Sequence, residues 1–373
     1  MKRLVELCDI QYGYAFDSNH FTEDKSFPQL VRIRDVKKGY SETYYNGEYP
    51  EEYVLSNGDL LIGMDGEFNI ARWKVDGALL NQRVCKVIVK NGINEEYIRF
   101  FMIKCLKKIE EKTSFATVKH LSAKELNRIE LDLPSIDEQN IIASLLSKLE
   151  MVIELRNQEL QSLDNLIKAR FVELFGDPVH NPYGWNKTEL KELADLKIGP
   201  FGSLLHKEDY IEGGHALVNP SHIVDGRIII DSKLTVSEDK YEKLSAYHLK
   251  VGDVVMGRRG EMGRCAVVED EGLLCGTGSL LIRPKGKVTA DYIQKIISYP
   301  TFKKNIEDMA VGQTMPNLNV PIVSGFRIIT PPIEVQNSYH DFVDQVNKSK
   351  VAVQKALDET QILFDSLMQK YFG

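Results

Sequence analysis

Residues 136–175 and 333–372 carry apolar side chains at spacings of three and four, with no proline or glycine among them. In the first stretch the stripe is Ile142, Leu145, Leu146, Leu149, Val152, Ile153, Leu160, Leu163, Leu166, Ile167, Phe171 and Leu174. In the second it is Tyr339, Phe342, Val343, Val346, Val353, Leu357, Leu363, Phe364, Met368 and Tyr371. Such spacing predicts two amphipathic helices, preceded by Pro134 and Pro332; Gly176-Asp-Pro178 stops the first. At 1.5 Å per residue each is a rod of roughly 50 Å. Antiparallel pairing hides both stripes most simply and would place the regions they connect at opposite ends. Each helix folding onto its own neighbouring region is the alternative.

Those regions, 1–134 and 178–331, are patterned differently. Short apolar or alternating runs broken by Gly, Asn and Pro predict strands at Gln29–Arg34, Asp59–Ile62 and Val84–Val89. Further strands are expected at Ala216–Val218, Arg227–Ile230 and Leu280–Ile282. Helical patches over Glu95–Glu111 and Asp291–Asp308 interrupt them, which makes each region mixed.

The chain repeats itself. Leu4-Val-Glu-Leu7 returns as Leu190-Lys-Glu-Leu193, and Gly58-Asp-Leu-Leu-Ile-Gly63 as Gly252-Asp-Val-Val-Met-Gly257. Pro134-Ser-Ile-Asp-Glu-Gln-Asn140 returns as Pro331-Pro-Ile-Glu-Val-Gln-Asn337, and Leu174-Phe-Gly176 as Tyr371-Phe-Gly373. One unit is used twice. The expected fold is α+β: two tandem mixed modules, 1–134 and 178–331, with long antiparallel helices at 135–177 and 332–373 and a pseudo-two-fold internal repeat.

Composition narrows the class. The 373 residues include 43% hydrophobic and 27% charged side chains, which is globular. No apolar run approaches the roughly 18 residues of a membrane span, and the charged N-terminus gives no signal peptide, so a cytoplasmic location is expected. Five cysteines without a C-x-x-C pair argue against zinc and disulfides. The net charge of −7 is uneven: residues 1–135 hold 20 basic and 21 acidic groups, and 176–331 hold 19 and 20. The helices hold the excess, with 4 and 7 in 136–175 and 4 and 6 in 332–373. Acidic rods suit a protein partner; near-neutral modules can still present basic faces.

Candidate contact residues gather at glycine turns and strand ends. Arg32 and Arg34 alternate with Val31 and Ile33 and should leave one strand face. Arg258, Arg259 and Arg264 fill Gly257-Arg-Arg-Gly-Glu-Met-Gly-Arg264, matched in the first copy by Met64, Asp65 and Arg72. Aromatic groups cluster as Tyr12, Tyr14 and Phe16, and again at Phe201. Catalytic motifs are missing: no P-loop, no H-E-x-x-H, no G-x-S-x-G. Gly276-Thr-Gly278 reads as a strand-edge turn, and the equivalent positions His120 and Asn317 differ chemically. The expectation is a protein without an active site or metal of its own.

Leu133-Pro-Ser-Ile-Asp-Glu-Gln139, Leu174-Phe-Gly-Asp-Pro178 with Asn181-Pro-Tyr-Gly-Trp185, Gly252-Asp-Val-Val255 and Pro331-Pro-Ile-Glu-Val-Gln336 occur in a duplicated order. In that order the chain resembles the specificity subunit of type I restriction–modification systems. A departure is Thr113-Ser-Phe-Ala-Thr117, where the second copy has Gly312-Gln-Thr314. The resemblance implies two target-recognition domains reading a bipartite, asymmetric double-stranded DNA site; modules held apart by a rod pair of ~50 Å agree with half-sites about one helical turn apart. It implies partners too: two adenine-methyltransferase subunits and an endonuclease/translocase subunit, which would carry S-adenosylmethionine, ATP and Mg. No cofactor is expected on this chain, and no membrane. On this reading Tyr12, Tyr14, Arg32, Arg34, Arg72, Lys74, Arg83 and Lys119 serve the first module. Phe201, Asn219, Ser221, His222, Arg258, Arg259, Arg264, Gln313, Thr314 and Asn317 serve the second. The recognition subunit of a type II-like methylation system, or a pseudo-symmetric scaffold binding no DNA, are the alternatives.

Overall fold

The computed structural model describes residues 1–112, 119–310 and 317–373. The chain divides into two compact units: residues 1–159 with 353–373, and residues 160–352. Helices run over Ile136–Phe175 and Ile333–Phe372, the limits expected from the stripes. Each helix therefore gives one half to each unit.

Unit 1 is built on an antiparallel sheet in the order Cys8–Tyr12, Val84–Val89, Leu60–Gly63, Asn69–Arg72. The helix Glu95–Lys112 packs on it through Tyr97, Ile98, Phe100 and Met102. The same core takes in Ile142 and Leu146 from the central helix and Met368 and Phe372 from the terminal one. Further along, Arg156 donates to the Ala356 carbonyl and to the Thr360 hydroxyl. Residues 142 to 156 thus meet residues 372 to 356, which is antiparallel pairing.

Unit 2 repeats the plan. Its sheet runs Ala194–Ile198, Ser279–Pro284, Val254–Gly257, Cys265–Val267. Phe171 and Phe175 pack against Tyr339, and Lys350 bonds Asp164 at 2.5 Å, so the helices are antiparallel here as well. A smaller sheet pairs His215–Val218 with Leu274–Cys275 in parallel, as Leu30–Val31 pairs with Ala78–Leu80 in unit 1.

Several expectations change. The patch 291–308 is two helices, Ala290–Ser298 and Pro300–Ala310, because Pro300 pushes Tyr299 out of the helical region. The run at 29–34 is a strand only at Leu30–Val31; residues 33–35 tighten into a 3₁₀ turn. Ile229 and Ile230 lie beyond the strand Arg227–Ile228 and are exposed. Leu145, Leu166 and Leu363 stand outside the buried stripe, 37%, 46% and 49% exposed. Two paired helices cover a narrower face than a core does.

The glutamine of the duplicated Pro-x-Ile-x-x-Gln stretch has a structural task. Gln139 and Gln336 are buried in the first turn of their helices. Gln336 Oε1 accepts from the Thr289 N–H at 3.0 Å, and its Nε2 donates to the Pro331 carbonyl at 2.9 Å. Gln139 does the same with Asn94 and Pro134, at 3.0 and 2.9 Å. Each fixes the helix entry to the cap of the helix packed on the sheet. Gln336→Leu removes the partner of three backbone groups, those of Thr289, Pro331 and Lys287, and is expected to cost unit 2 about 1–3 kcal/mol, read by denaturant unfolding. An unchanged midpoint would remove the clamp from the stability of that unit.

Candidate nucleic-acid interface

In unit 1 the edge is set by a turn and a close backbone approach. After Val31 the chain turns because the Asp35 carboxylate accepts from the Arg32 N–H at 3.0 Å. Asp35 is buried, and Arg32 and Arg34 are left exposed on either side of Ile33. The strand Ala78–Leu80 brings Asn81, Gln82 and Arg83 alongside. Gly13 allows this, since a Cβ there would stand 2.0 Å from the Asn81 carbonyl oxygen. Together with Phe16, Ser18 and Phe21 these residues line a cavity of about 430 Å³.

Arg83 has a φ of 70°, the left-handed region that a residue with a side chain rarely adopts. Its Nη1 lies 3.4 Å from the Asp65 carboxylate and 3.3 Å from His120 Nδ1. His120 also bonds Asp65, so one acidic group steadies a cation and an imidazole at the rim. Tyr12 and Tyr14 are exposed nearby in sequence, with Tyr14 edge-on to Phe16 at 5.1 Å. Lys74 is exposed, its N–H bonded to the Gly39 carbonyl.

Two expected contacts in this module are turned inward. Arg72 donates to Glu96, Glu95 and the Gly58 carbonyl, at 2.5, 2.8 and 2.6 Å. Burial pulls its pKa down, but the two carboxylates outweigh that and hold it above the usual arginine value. Lys119 is paired with Glu110 at 2.8 Å. Arg72 is also not the counterpart of Arg264. Asn69 lies opposite Gly63, and the Arg264 carbonyl accepts from Gly257, so Asn69 holds Arg264's place and Arg72 holds that of Val267.

The corresponding edge of unit 2 has other chemistry. Asn219 stands where Arg32 does, at the start of the turn Pro220–His222. Gly276 lets it approach: a Cβ there would be 2.2 Å from Asn219 Oδ1. His222, an expected contact, is buried with Nδ1 2.8 Å from the Leu217 carbonyl, and it braces the turn. Ser221 is exposed, and so is Phe201 at 63%. Arg258 is fastened to the Leu318 carbonyl at 2.9 Å and to Asn317 Oδ1 at 3.2 Å. Burial and the neighbouring Arg259 lower its pKa. Arg264 is held by Glu261 at 2.8 Å and the Pro220 carbonyl at 3.2 Å. Arg259 is exposed and makes no side-chain bond among the described residues. Gln313 and Thr314 lie outside the described residues.

Sequence reasoning missed Asn81 and Gln82. Their signal was positional, since they align with Gly276-Thr-Gly278 just before the matching strand.

The sequence profile described as the type I restriction modification DNA specificity domain matches residues 1–165 and 182–360. The chain belongs to this family and is a DNA specificity subunit of a type I restriction–modification system. The EcoBI specificity subunit of Escherichia coli is 27% identical over 396 residues, covering 98% of this chain and 84% of its own. The MjaVIII specificity subunit of Methanocaldococcus jannaschii is 21% identical, covering 82% and 78%. Among solved structures, the S subunit of a type I system from M. genitalium superposes with a TM-score of 0.59 at 14% identity, covering 100% of this chain and 95% of that one. A chain from a study of type I complex assembly gives 0.59 at 18%, covering 100% and 96%. These superpositions show the fold. Specificity subunits are non-catalytic, and the cofactors of such systems reside on the modification and restriction subunits. No helix among the described residues is long and apolar enough to cross a membrane.

Proposed function

We propose that residues 1–134 and 178–331 are two target-recognition domains, each reading half of a bipartite, asymmetric DNA site. Residues 135–177 and 332–373 are the spacer helices. The observation that carries this is the arginine-lined cavity of the first module, with the corresponding polar edge of the second. Arginine forks suit guanine, and asparagine or glutamine suits adenine. Arg32, Arg34 and Arg83 therefore favour guanine in one half-site; Asn219 and Asn317, with the exposed Arg259, favour a mixed one containing adenine. Arg72 and His222 act through the fold and leave the contact set.

Two copies of an adenine methyltransferase, and in the full complex an endonuclease/translocase, dock on the spacer helices. The acidic excess of the helices supports this, as do exposed aliphatic groups such as Ile141, Met151, Leu155, Val351 and Ile362. S-adenosylmethionine, ATP and Mg are held by those partners, and the complex acts on DNA in the cytoplasm.

The test is single-molecule sequencing of adenine methylation in host DNA, with and without this chain. Methylation at one gapped motif is expected to vanish when the chain is removed. Unchanged methylation beside an active methyltransferase partner would refute the DNA-reading role.

A further inference from the structure

A different cavity, in unit 2 and of about 330 Å³, is walled by polar groups. The helix Ala290–Ser298 contributes Gln294, Lys295 and Ser298; Arg264, Lys303, Glu261 and the Asp225-Gly226 turn complete the lining. Glu261 is shared by Lys303 at 2.9 Å and Arg264 at 2.8 Å, and these two bonds hold its carboxyl down to about 2. Lys295 is different. It is half-buried and has no ion-pair partner within 4.0 Å among the described residues; the charges that act on it are Asp291, Lys350 and Asp164. Gln294 is 7% exposed, and its side-chain amide makes no hydrogen bond among the described residues. A Cβ on Gly226 would stand 2.8 Å from Gln294 Nε2, which places that donor against the turn.

The first copy supplies an internal control. Asn94 and Thr289 are equivalent, because each bonds the clamp glutamine of its own unit. Counting five and six residues on from each, Gln294 matches Arg99 and Lys295 matches Phe100. Arg99 is fully engaged by Glu96 and Glu150, and Phe100 is core, 0% exposed. The fold therefore does not require an amide and an ammonium here. Copy one closes the place internally, whereas in copy two neither group has a side-chain partner among the described residues, and both line a cavity.

We infer that this cavity seats one phosphate group, with the Lys295 ammonium and the Gln294 amide as its donors. A phosphate supplies the missing negative charge and several acceptor oxygens in a volume the cavity accommodates. Resting on the function proposed above, the phosphate belongs to the DNA backbone beside the second module's half-site. Free inorganic phosphate shares the chemistry, and the experiment separates the two.

The assembled complex is prepared with the full chain as wild type, Lys295→Met, Lys295→Arg and Gln294→Leu. Affinity for duplex carrying the methylated motif is measured over a salt series. Each engaged phosphate contributes about 0.9 to the slope of log affinity on log salt. Lys295→Met is expected to flatten the slope by about that amount, about 3.5-fold in affinity over a fourfold salt range. Gln294→Leu should weaken binding, Lys295→Arg should restore it, and the motif read should not change. In parallel, inorganic phosphate is titrated into DNA-free complex and the melting temperature followed. A flattened slope assigns the seat to DNA. An unchanged slope, with phosphate raising the melting temperature of wild type and not of Lys295→Met, assigns it to free phosphate. An unchanged slope with no phosphate effect on wild type overturns the inference. A wild-type complex that binds no DNA sinks the DNA-reading role instead, and the phosphate titration still decides the seat.

Discussion

Phe175→Ala is expected to lower the melting temperature of unit 2 by on the order of 10 °C. Phe175 closes the central helix and is completely buried. Its ring lies 5.0 Å from Tyr292, 5.0 Å from Phe171 and 5.5 Å from Tyr339, so three aromatic groups lose a partner at once. Truncating a buried phenylalanine costs about 3–5 kcal/mol, because the cavity collapses only partly. For a unit of this size each kcal/mol is worth about 2–4 °C. Phe372, the matching residue of the repeat, is slightly more exposed at 8% and meets Tyr97 at 5.2 Å, so Phe372→Ala should act on unit 1 and by less. Calorimetry on the full chain measures the size, and hydrogen exchange locates the loss. Protection lost in the sheet of unit 1 after Phe175→Ala would contradict the division into units.

Replacing Arg32, Arg34 and Arg83 together by alanine should weaken DNA binding of the assembled complex by about a hundredfold or more. Each guanidinium forked on a guanine is worth about 1–3 kcal/mol of discrimination. The three line one cavity, and among the described residues neither Arg32 nor Arg34 has a counter-ion closer than the 3.9 Å between Arg34 and Asp35. The loss should be confined to one half of the motif. Arg83→Lys keeps the charge and loses the fork, so it should relax specificity with less loss of affinity. Arg72→Ala is the contrast: its three bonds are internal, so it should lower the melting temperature and leave the motif as it was. Binding to cognate and half-substituted duplexes, paired with thermal melts, distinguishes these outcomes. A triple variant that reads both half-sites normally would remove the cavity from the interface.

These effects divide by where their causes lie in the chain. The two long helices were legible to the residue, because an uninterrupted three-four spacing between proline and glycine is a local property. So was the strand Val84–Val89, and so was the repeat. The candidate site was legible as a neighbourhood: Arg32, Arg34 and Arg83 do meet at one cavity, although fifty residues of sequence separate the first two from the third.

What the sequence could not assign was which polar groups already had partners. Arg72 and Arg83 look alike in the chain, but Glu95 and Glu96 arrive from another element and take Arg72, leaving Arg83 at the rim. The turn at Arg32 depends on one carboxylate, Asp35, folding back on the backbone, and His222 is claimed by a carbonyl in its own module. Lys295 and Gln294 differ from Phe100 and Arg99 at the same places of the other unit, a contrast that only the superimposable folds define. Periodicity determines elements because helix and strand energies are summed along the chain. Hydrogen bonds and ion pairs are made across it, so the tertiary structure alone decides which charges remain free to meet a ligand.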